Sequence, residues 1–499
     1  MHLLPLLFAL PLQTASVPAP SLDAIDQAAL DAVVAKHEGE DRPGFTAALC
    51  RDGEVIWSNS CGEASLEWGV ENGRDTVFRL ASTSKQFTAA AVQMLALDGV
   101  LELDAPLAKY LPELDELSPM PTVREMVHHT SGLRDYLSLM SIMGYDLNDT
   151  FELEEVIDVL RLQKGLNFDP GTEWSYSNSN YVLMAVIVKR VSGQTLPAFT
   201  EERIFVPLGM TDTQWLDGVD RVIERRAWGY MPKGDGFERS GTRIEVLGDG
   251  ALASTVVDLA KWAQVIVDPP AEWAPLVTAM LDGVPISEEE DGRYGSGLFI
   301  DTFHGLPRVQ HGGAFVGYRC QMTHLPEQQL TAICLSNNGD FNPDEITDAL
   351  LRKALGDDLP KIAKPDVAAE EAADDEPEES REERRARQKA KRRAPSEEEI
   401  ALLVGTYTCP ELRLEFAIEL DERGRLQVRK PDGEDSRFMV RRETSEAITH
   451  AFAFGIRLDL EWNDDGYLVG GTLDAGRAKG MRFERRSGVL PPKGEAGGN

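Results

Sequence analysis

The sequence predicts an α+β fold followed by a small all-β domain, on three observations. Strand-like stretches occur at Phe45 to Cys50 and again from Leu298 onward, with helical periodicity between them. Between Pro360 and Pro395 large apolar residues nearly vanish. Beyond that gap, short alternating strands recur between glycine turns.

A chain of 499 residues exceeds what one hydrophobic core organises, so two domains and a connector are expected. A net charge of -33 excludes nucleic acid and anionic membrane surfaces as partners and leaves a small or neutral substrate. Residues 1–19 pair an apolar run, Leu3 to Leu12, with Thr14-Ala15-Ser16, which reads as a signal peptide although no Lys or Arg opens it. Export to the periplasm or medium follows. The run is too short to span a bilayer and no other stretch of about 20 apolar residues occurs, so no membrane span is expected. Five cysteines fit neither a metal frame nor a dense disulfide scaffold. Cys320 and Cys334 flank a Pro326-Glu327 turn and read equally as a cross-strand disulfide or as two buried thiols.

Along the chain, Phe45 to Cys50 and Val55 to Ser58 form a hairpin about Asp52-Gly53. A helix opens at Ser82, carries Phe87, Ala91, Met94 and Leu95 at helical spacing, and ends at Gly99. Thr122 and Glu125 make a capping box, with Gly132 closing the His129-Thr130-Ser131-Gly132 segment. Further helices are predicted from Tyr181 to Gly193, after Ser254-Thr255 up to Pro269, and over Glu345 to Leu355. Leu298 to Thr302, Gln321 to Leu325 and Leu330 to Leu335 read as antiparallel strands, and the two ends of this domain are expected to build one sheet.

The domain so outlined spans residues 20–358. Residues 359–395 form a charged linker, acidic from Glu370 to Glu383 and basic from Arg384 to Arg393, as a solvated helix or as disorder. A small antiparallel β domain, barrel or sandwich, occupies 396–488, and 489–499 is a tail.

Three short motifs carry chemistry. Ser82-Thr83-Ser84-Lys85 sets a hydroxyl and an amine three residues apart, on one helix face at the dipole's positive end. A desolvated lysine can lose its proton and activate the serine. Alone the spacing is weak, since it arises by chance about twice in such a chain. Tyr176-Ser177-Asn178 lies in a polar turn, where a phenol can relay protons and an amide can hold a substrate carbonyl. His311-Gly312-Gly313-Ala314 follows a strand-like stretch, and its glycines would let a substrate backbone come close.

In order and spacing these motifs resemble those of the serine β-lactamase and penicillin-binding-protein superfamily. The flanks His129-Thr130-Ser131-Gly132-Leu133, Pro207-Leu208-Gly209-Met210, Gly250-Ala251-Leu252-Ala253-Ser254 and Tyr294-Gly295-Ser296-Gly297-Leu298 extend the likeness over Phe45 to Leu355. Tyr-x-Asn points to the branch of class C β-lactamases, D-aminopeptidase, D-alanyl-D-alanine carboxypeptidases and β-lactamase-fold esterases. The resemblance implies a sheet flanked by helices with a helical subdomain. It implies Ser82 as nucleophile, Lys85 and Tyr176 as the acid/base pair, and substrate contacts from Asn178, His311, Gly313 and Ala314. The backbone N–H groups of Ser82 and Ala314 would form the oxyanion hole. No cofactor or metal is implied. Leu402 to Tyr407 resembles the start of the lipocalin-like β domain appended to many such hydrolases.

His311 departs from the lysine of class C β-lactamases, and a neutral imidazole engages a β-lactam carboxylate less well. A peptidase or esterase acting on D-amino-acid peptides or small esters and amides is therefore expected. A β-lactamase and a penicillin-binding sensor without turnover are the alternatives. The adjacent pair His128-His129 reads as structural, Ser131 as part of a helix-ending turn, and Glu173 as a solvated loop carboxylate.

Overall fold

The computed structural model describes residues 17–39, 41–145, 152–218, 221–241, 246–288, 291–356, 359–360, 395–430, 433–442, 448–464 and 466–486. Most of the expected signal peptide, nearly all of the charged linker and the 489–499 tail lie outside them.

Asp52 and Gly53 both take positive φ, 53° and 75°, the paired left-handed turn whose twist suits a hairpin. They join the strands Phe45–Arg51 and Glu54–Cys61. The first of these pairs antiparallel with Leu330–Ser336, with Phe45 opposite Ser336 and Cys50 opposite Thr331. The two ends of the domain thus lie side by side, as expected. Among the described residues the sheet has eight strands, in the order Val284–Pro285, Arg293–Tyr294, Phe299–Phe303, Leu306–Phe315, Tyr318–Leu325, Leu330–Ser336, Phe45–Arg51, Glu54–Cys61.

Alternation along each strand divides the sheet between two cores. Ala47, Leu49, Ala332 and Cys334 pack with Leu30 and Val34 of the helix Gln27–Val34 and with Ile346 and Leu350 of Pro343–Leu355. Ala48, Cys50, Ile333 and Leu335 face the larger core that holds Leu259 and Ile266 of the helix Val256–Val267. The same alternation decides the cysteine question. Cys320 pairs with Leu335 and Cys334 with Gln321, so the thiols fall on opposite faces, and all five cysteines are free and buried.

All five expected helices begin within three residues of their expected starts, Pro343–Leu355 included, although the capping-box helix ends at Val127, short of Gly132. Lys85–Leu97 is buried on every side from Lys85 to Leu95. Thr122 and Glu125 form the capping box of Val123–Val127. Thr255 accepts from Asp258 N at the start of Val256–Val267. Gly193, at φ 77°, ends the helix that begins at Asn178 rather than Tyr181. Among the described residues no single helix is long and apolar enough to cross a membrane.

The C-terminal strands form one nine-stranded antiparallel sheet among the described residues. Its edges, Asp435–Arg437 and Met439–Arg442, are consecutive in the chain, so the sheet curls almost closed around Tyr407, Phe416 and Phe483. This barrel-like body rests on the first domain through Arg134, which donates to Glu411 Oε2 (2.5 Å) and to the Lys479 carbonyl (2.8 Å).

Candidate active site

Ser82 lies in the 3₁₀ turn Ala81–Ser84, which runs straight into Lys85–Leu97. Ala81 takes φ 45°, a left-handed conformation that costs a non-glycine residue about 1–2 kcal/mol and fixes how the turn presents its serine. The helical path continues through the turn, so positions 82 and 85 share a face, and Lys85 Nζ lies 3.2 Å from Ser82 Oγ. Lys85 is fully buried, and Nζ also donates to Asn178 Oδ1 (2.8 Å) and the Asp249 carbonyl (2.6 Å). Burial lowers its pKa to about 8, against the opposing pull of the Asp249 and Asp135 carboxylates. In the neutral amine, those two acceptors hold both N–H groups and the lone pair faces the serine.

Tyr176 stands beside this pair, its ring centroid 4.9 Å from Lys85 Nζ. Its hydroxyl is buried without a hydrogen bond of normal geometry. Burial raises the phenol far above its usual range, although the nearby Ser82 hydroxyl favours the phenolate, so Tyr176 is a protonated phenol at neutral pH. Asn178 is the first residue of Asn178–Ser192, not part of the preceding turn. Its N and Nδ2 both donate to Asp135 Oδ2, at 2.7 and 2.8 Å, which turns Oδ1 toward Lys85.

His311 to Ala314 lie within the strand Leu306–Phe315. His311 Nδ1 meets the Gly312 carbonyl at 2.6 Å and therefore carries the proton, leaving Nε2 to accept from Tyr294 Oη at 3.2 Å. Burial and the Lys85 charge lower its pKa to about 3, so the imidazole is neutral, as expected. The glycines behave differently from expectation. A Cβ on Gly313 would lie 2.2 Å from the Leu80 carbonyl and 3.1 Å from Ser82 N, and one on Gly312 would lie 2.6 Å from Gln321 Oε1. The missing side chain at 313 thus admits the nucleophile's own turn, Leu80 carbonyl and Ser82 N included, rather than a substrate backbone.

Five further residues shape the site. His129, left-handed at φ 59°, stacks 4.3 Å from the Tyr176 ring, and its Nδ1 accepts from Ser177 N. His128 points elsewhere, to the Tyr294 carbonyl. Asp135, Asp249 and Tyr294 orient Asn178, Lys85 and His311 respectively. Asp135 looks in sequence like a simple helix cap, which it also is for Tyr136–Ile142. Arg477, from the C-terminal sheet, lies 5.1 Å from the Tyr176 ring centroid, and nothing local in the sequence marks it. Ser131 donates to Asn180 Oδ1 within a buried turn, and Glu173 is exposed. Among the described residues no group of three His, Cys, Asp or Glu could hold a metal ion.

The sequence pattern of the Beta-lactamase family matches residues 30–357. A D-aminopeptidase of Cereibacter sphaeroides is 31% identical over 351 residues, 69% of this chain and 65% of the relative, so the chain spans a little under two thirds of that protein's length. A D-amino acid amidase from Ochrobactrum anthropi, solved with L-phenylalanine amide, is 25% identical at a TM-score of 0.55 and covers 67% of this chain and 98% of its own. An octameric penicillin-binding protein homologue from Pyrococcus abyssi covers 92% of this chain and 100% of its own at a TM-score of 0.60 and 21% identity, a likeness of fold. With the family pattern covering most of the first domain, and its three motifs meeting in one cleft, this chain belongs to the Beta-lactamase family.

Proposed function

We propose that the chain is a serine hydrolase that forms an acyl-enzyme on Ser82 and acts on D-amino-acid amides and peptides or small esters. One observation carries this reading: a buried lysine with two fixed acceptors and its third position 3.2 Å from a serine hydroxyl. Lys85 takes the Ser82 proton as Oγ attacks the acyl carbon. The Ser82 and Ala314 N–H groups face the oxyanion. Tyr176 gives its proton to the departing nitrogen or oxygen and regains one from Lys85. Water repeats the sequence in reverse and frees Ser82. The likeness to D-aminopeptidase and D-amino acid amidase supports the substrate class.

The reading extends to export through residues 1–19 and to a lipocalin-like character for the C-terminal sheet. Neutral His311 offers a β-lactam carboxylate no cation and disfavours the β-lactamase alternative. The test is turnover of D-alanyl p-nitroanilide, a short-chain nitrophenyl ester and nitrocefin, with the acyl-enzyme trapped and weighed and Ser82→Ala as control. Acylation by the first two is expected. Failure of all three to acylate Ser82 overturns the proposal.

A further inference from the structure

The hairpin formed by Leu468–Ala475 and Ala478–Arg485 places its tip, Gly476-Arg477, against the first domain. The backbone there is pinned three ways: Arg477 N donates to Ser138 Oγ, and its carbonyl accepts from Asp135 N and Asn167 Nδ2. The side chain is 46% exposed, with the guanidinium 3.6 Å from Asp135 Oδ2. Asp135 already accepts from Ser138 N and from the two Asn178 donors, and the arginine stands beyond hydrogen-bond distance of it. Among the described residues the guanidinium makes no hydrogen bond of its own, and its five N–H donors remain available.

A cavity of about 500 Å³ opens beside it, running from Ala314 to Phe454. Its charged lining is Arg319, Lys430, Arg477 and Asp135, three cations and one buried carboxylate, in a chain whose net charge is -33. Arg319 already donates to the Val316 and Tyr318 carbonyls, and Lys430 to Glu434. Only Arg477 combines exposure, free donors and a place beside Tyr176.

We infer that this inter-domain cavity is an anion subsite that takes a carboxylate carried by the substrate, with Arg477 as its main donor. The inference rests on the hydrolase reading and narrows its substrate class. An arginine fork matches a carboxylate in two parallel hydrogen bonds, whereas a substrate ammonium at the same place would meet like charge.

Two ligand pairs locate the carboxylate. D-alanyl-D-alanine against its C-terminal amide places it on the departing part, and D-glutamyl against D-glutaminyl p-nitroanilide places it on the acyl part. The charged member of at least one pair is expected to show kcat/KM at least tenfold higher. Arg477→Gln is expected to reduce that ratio at least tenfold, and Arg477→Lys to restore most of it. A ratio within twofold of wild type in both pairs after Arg477→Gln overturns the inference. Affinities of the same four compounds for Ser82→Ala protein separate the two proposals, because binding needs no turnover. Charge-selective binding that Arg477→Gln abolishes keeps the subsite even if the wild type hydrolyses nothing. Equal affinities within both pairs, or no binding, remove the subsite whatever the turnover.

Discussion

Lys85 begins a helix whose residues are all buried as far as Leu95, and its amine is held by three partners at 2.6 to 3.2 Å. Arg477, facing the same tyrosine ring from the C-terminal sheet, sits on a hairpin tip with its side chain half exposed and only its backbone pinned. The reactive wall is thus built like a protein interior, where position follows from packing density. The opposing wall is built like an interface between domains, polar and joined by a few hydrogen bonds. Changes in the first wall should destroy chemistry, while changes in the second should alter what binds and how firmly the two bodies hold together.

The largest break in that contrast comes from the reacting groups. Ser82→Ala and Lys85→Met should each lower kcat/KM for D-alanyl p-nitroanilide by at least about 10⁴-fold, the scale on which a nucleophile or its base is lost. Lys85→Arg should fare no better, because a guanidinium does not release its proton near neutral pH. Retention of more than about 1% activity by Lys85→Arg, in steady-state assays, would show that the base lies elsewhere.

Gly313→Ala sharpens the packing half of the comparison. Its Cβ would fall 2.2 Å from the Leu80 carbonyl, so either the strand or the nucleophile's turn must move. Overpacking of this kind costs about 1–3 kcal/mol. A displacement of about 1 Å at reacting groups can cost on the order of 10²-fold in rate. Both effects are expected together, the first in denaturant unfolding and the second in kcat. A variant with full kcat would mean that Gly313 does not set the spacing between strand and serine.

The interface wall is tested by two arginines in opposite settings. Arg134 has a 3% exposed side chain that serves Glu411, Gln163 and the Lys479 carbonyl at once. Arg134→Met leaves those acceptors unpaired and should cost about 2–3 kcal/mol, detected as an early separate transition of the C-terminal sheet in calorimetry. Arg477→Met, with its half-exposed side chain and loose 3.6 Å contact, should cost under about 1 kcal/mol and leave the transitions merged. Equal costs would erase the distinction between a structural and a ligand-facing arginine.

How much of this was legible in sequence follows the same division. Ser82 and Lys85, Tyr176 and Asn178, and His311 to Ala314 are each close in the chain, so local geometry alone puts each motif on one face or one strand. The sheet built from both domain ends was readable because Phe45 to Cys50 and Leu330 to Leu335 are apolar runs of strand length. The supporting groups were not readable. Asp135 earns its place through Asn178, 43 residues on, and Asp249 through Lys85, 164 residues away. Gly313 reads as a glycine for substrate until Leu80 is seen in the space its Cβ would take. Arg477 is anchored at Ser138 across 339 residues through one hairpin tip, and no periodicity or motif encodes such a contact.

The finest test concerns the proton on Lys85. Its pKa is lowered to about 8, and the reactive form is the neutral amine, so activity must rise with pH through that value. Below pH 8 the charged fraction grows, and kcat/KM should fall about tenfold per pH unit, with a plateau above until Tyr176 ionises far higher. Burial is the main cause of the lowering; the two carboxylates oppose it, and Arg477 adds to it by the smallest amount. Asp249→Asn keeps the backbone carbonyl that Lys85 uses but removes a charge that favours the ammonium, so the midpoint should move down. Arg477→Gln removes a charge that disfavours the ammonium, so the midpoint should move up, and by the smaller amount, since Arg477 is the weakest of the influences on Lys85. Opposite signs from the two walls of the cleft would place the titrating group between them, whereas a profile flat from pH 6 to 9 would remove Lys85 as the base.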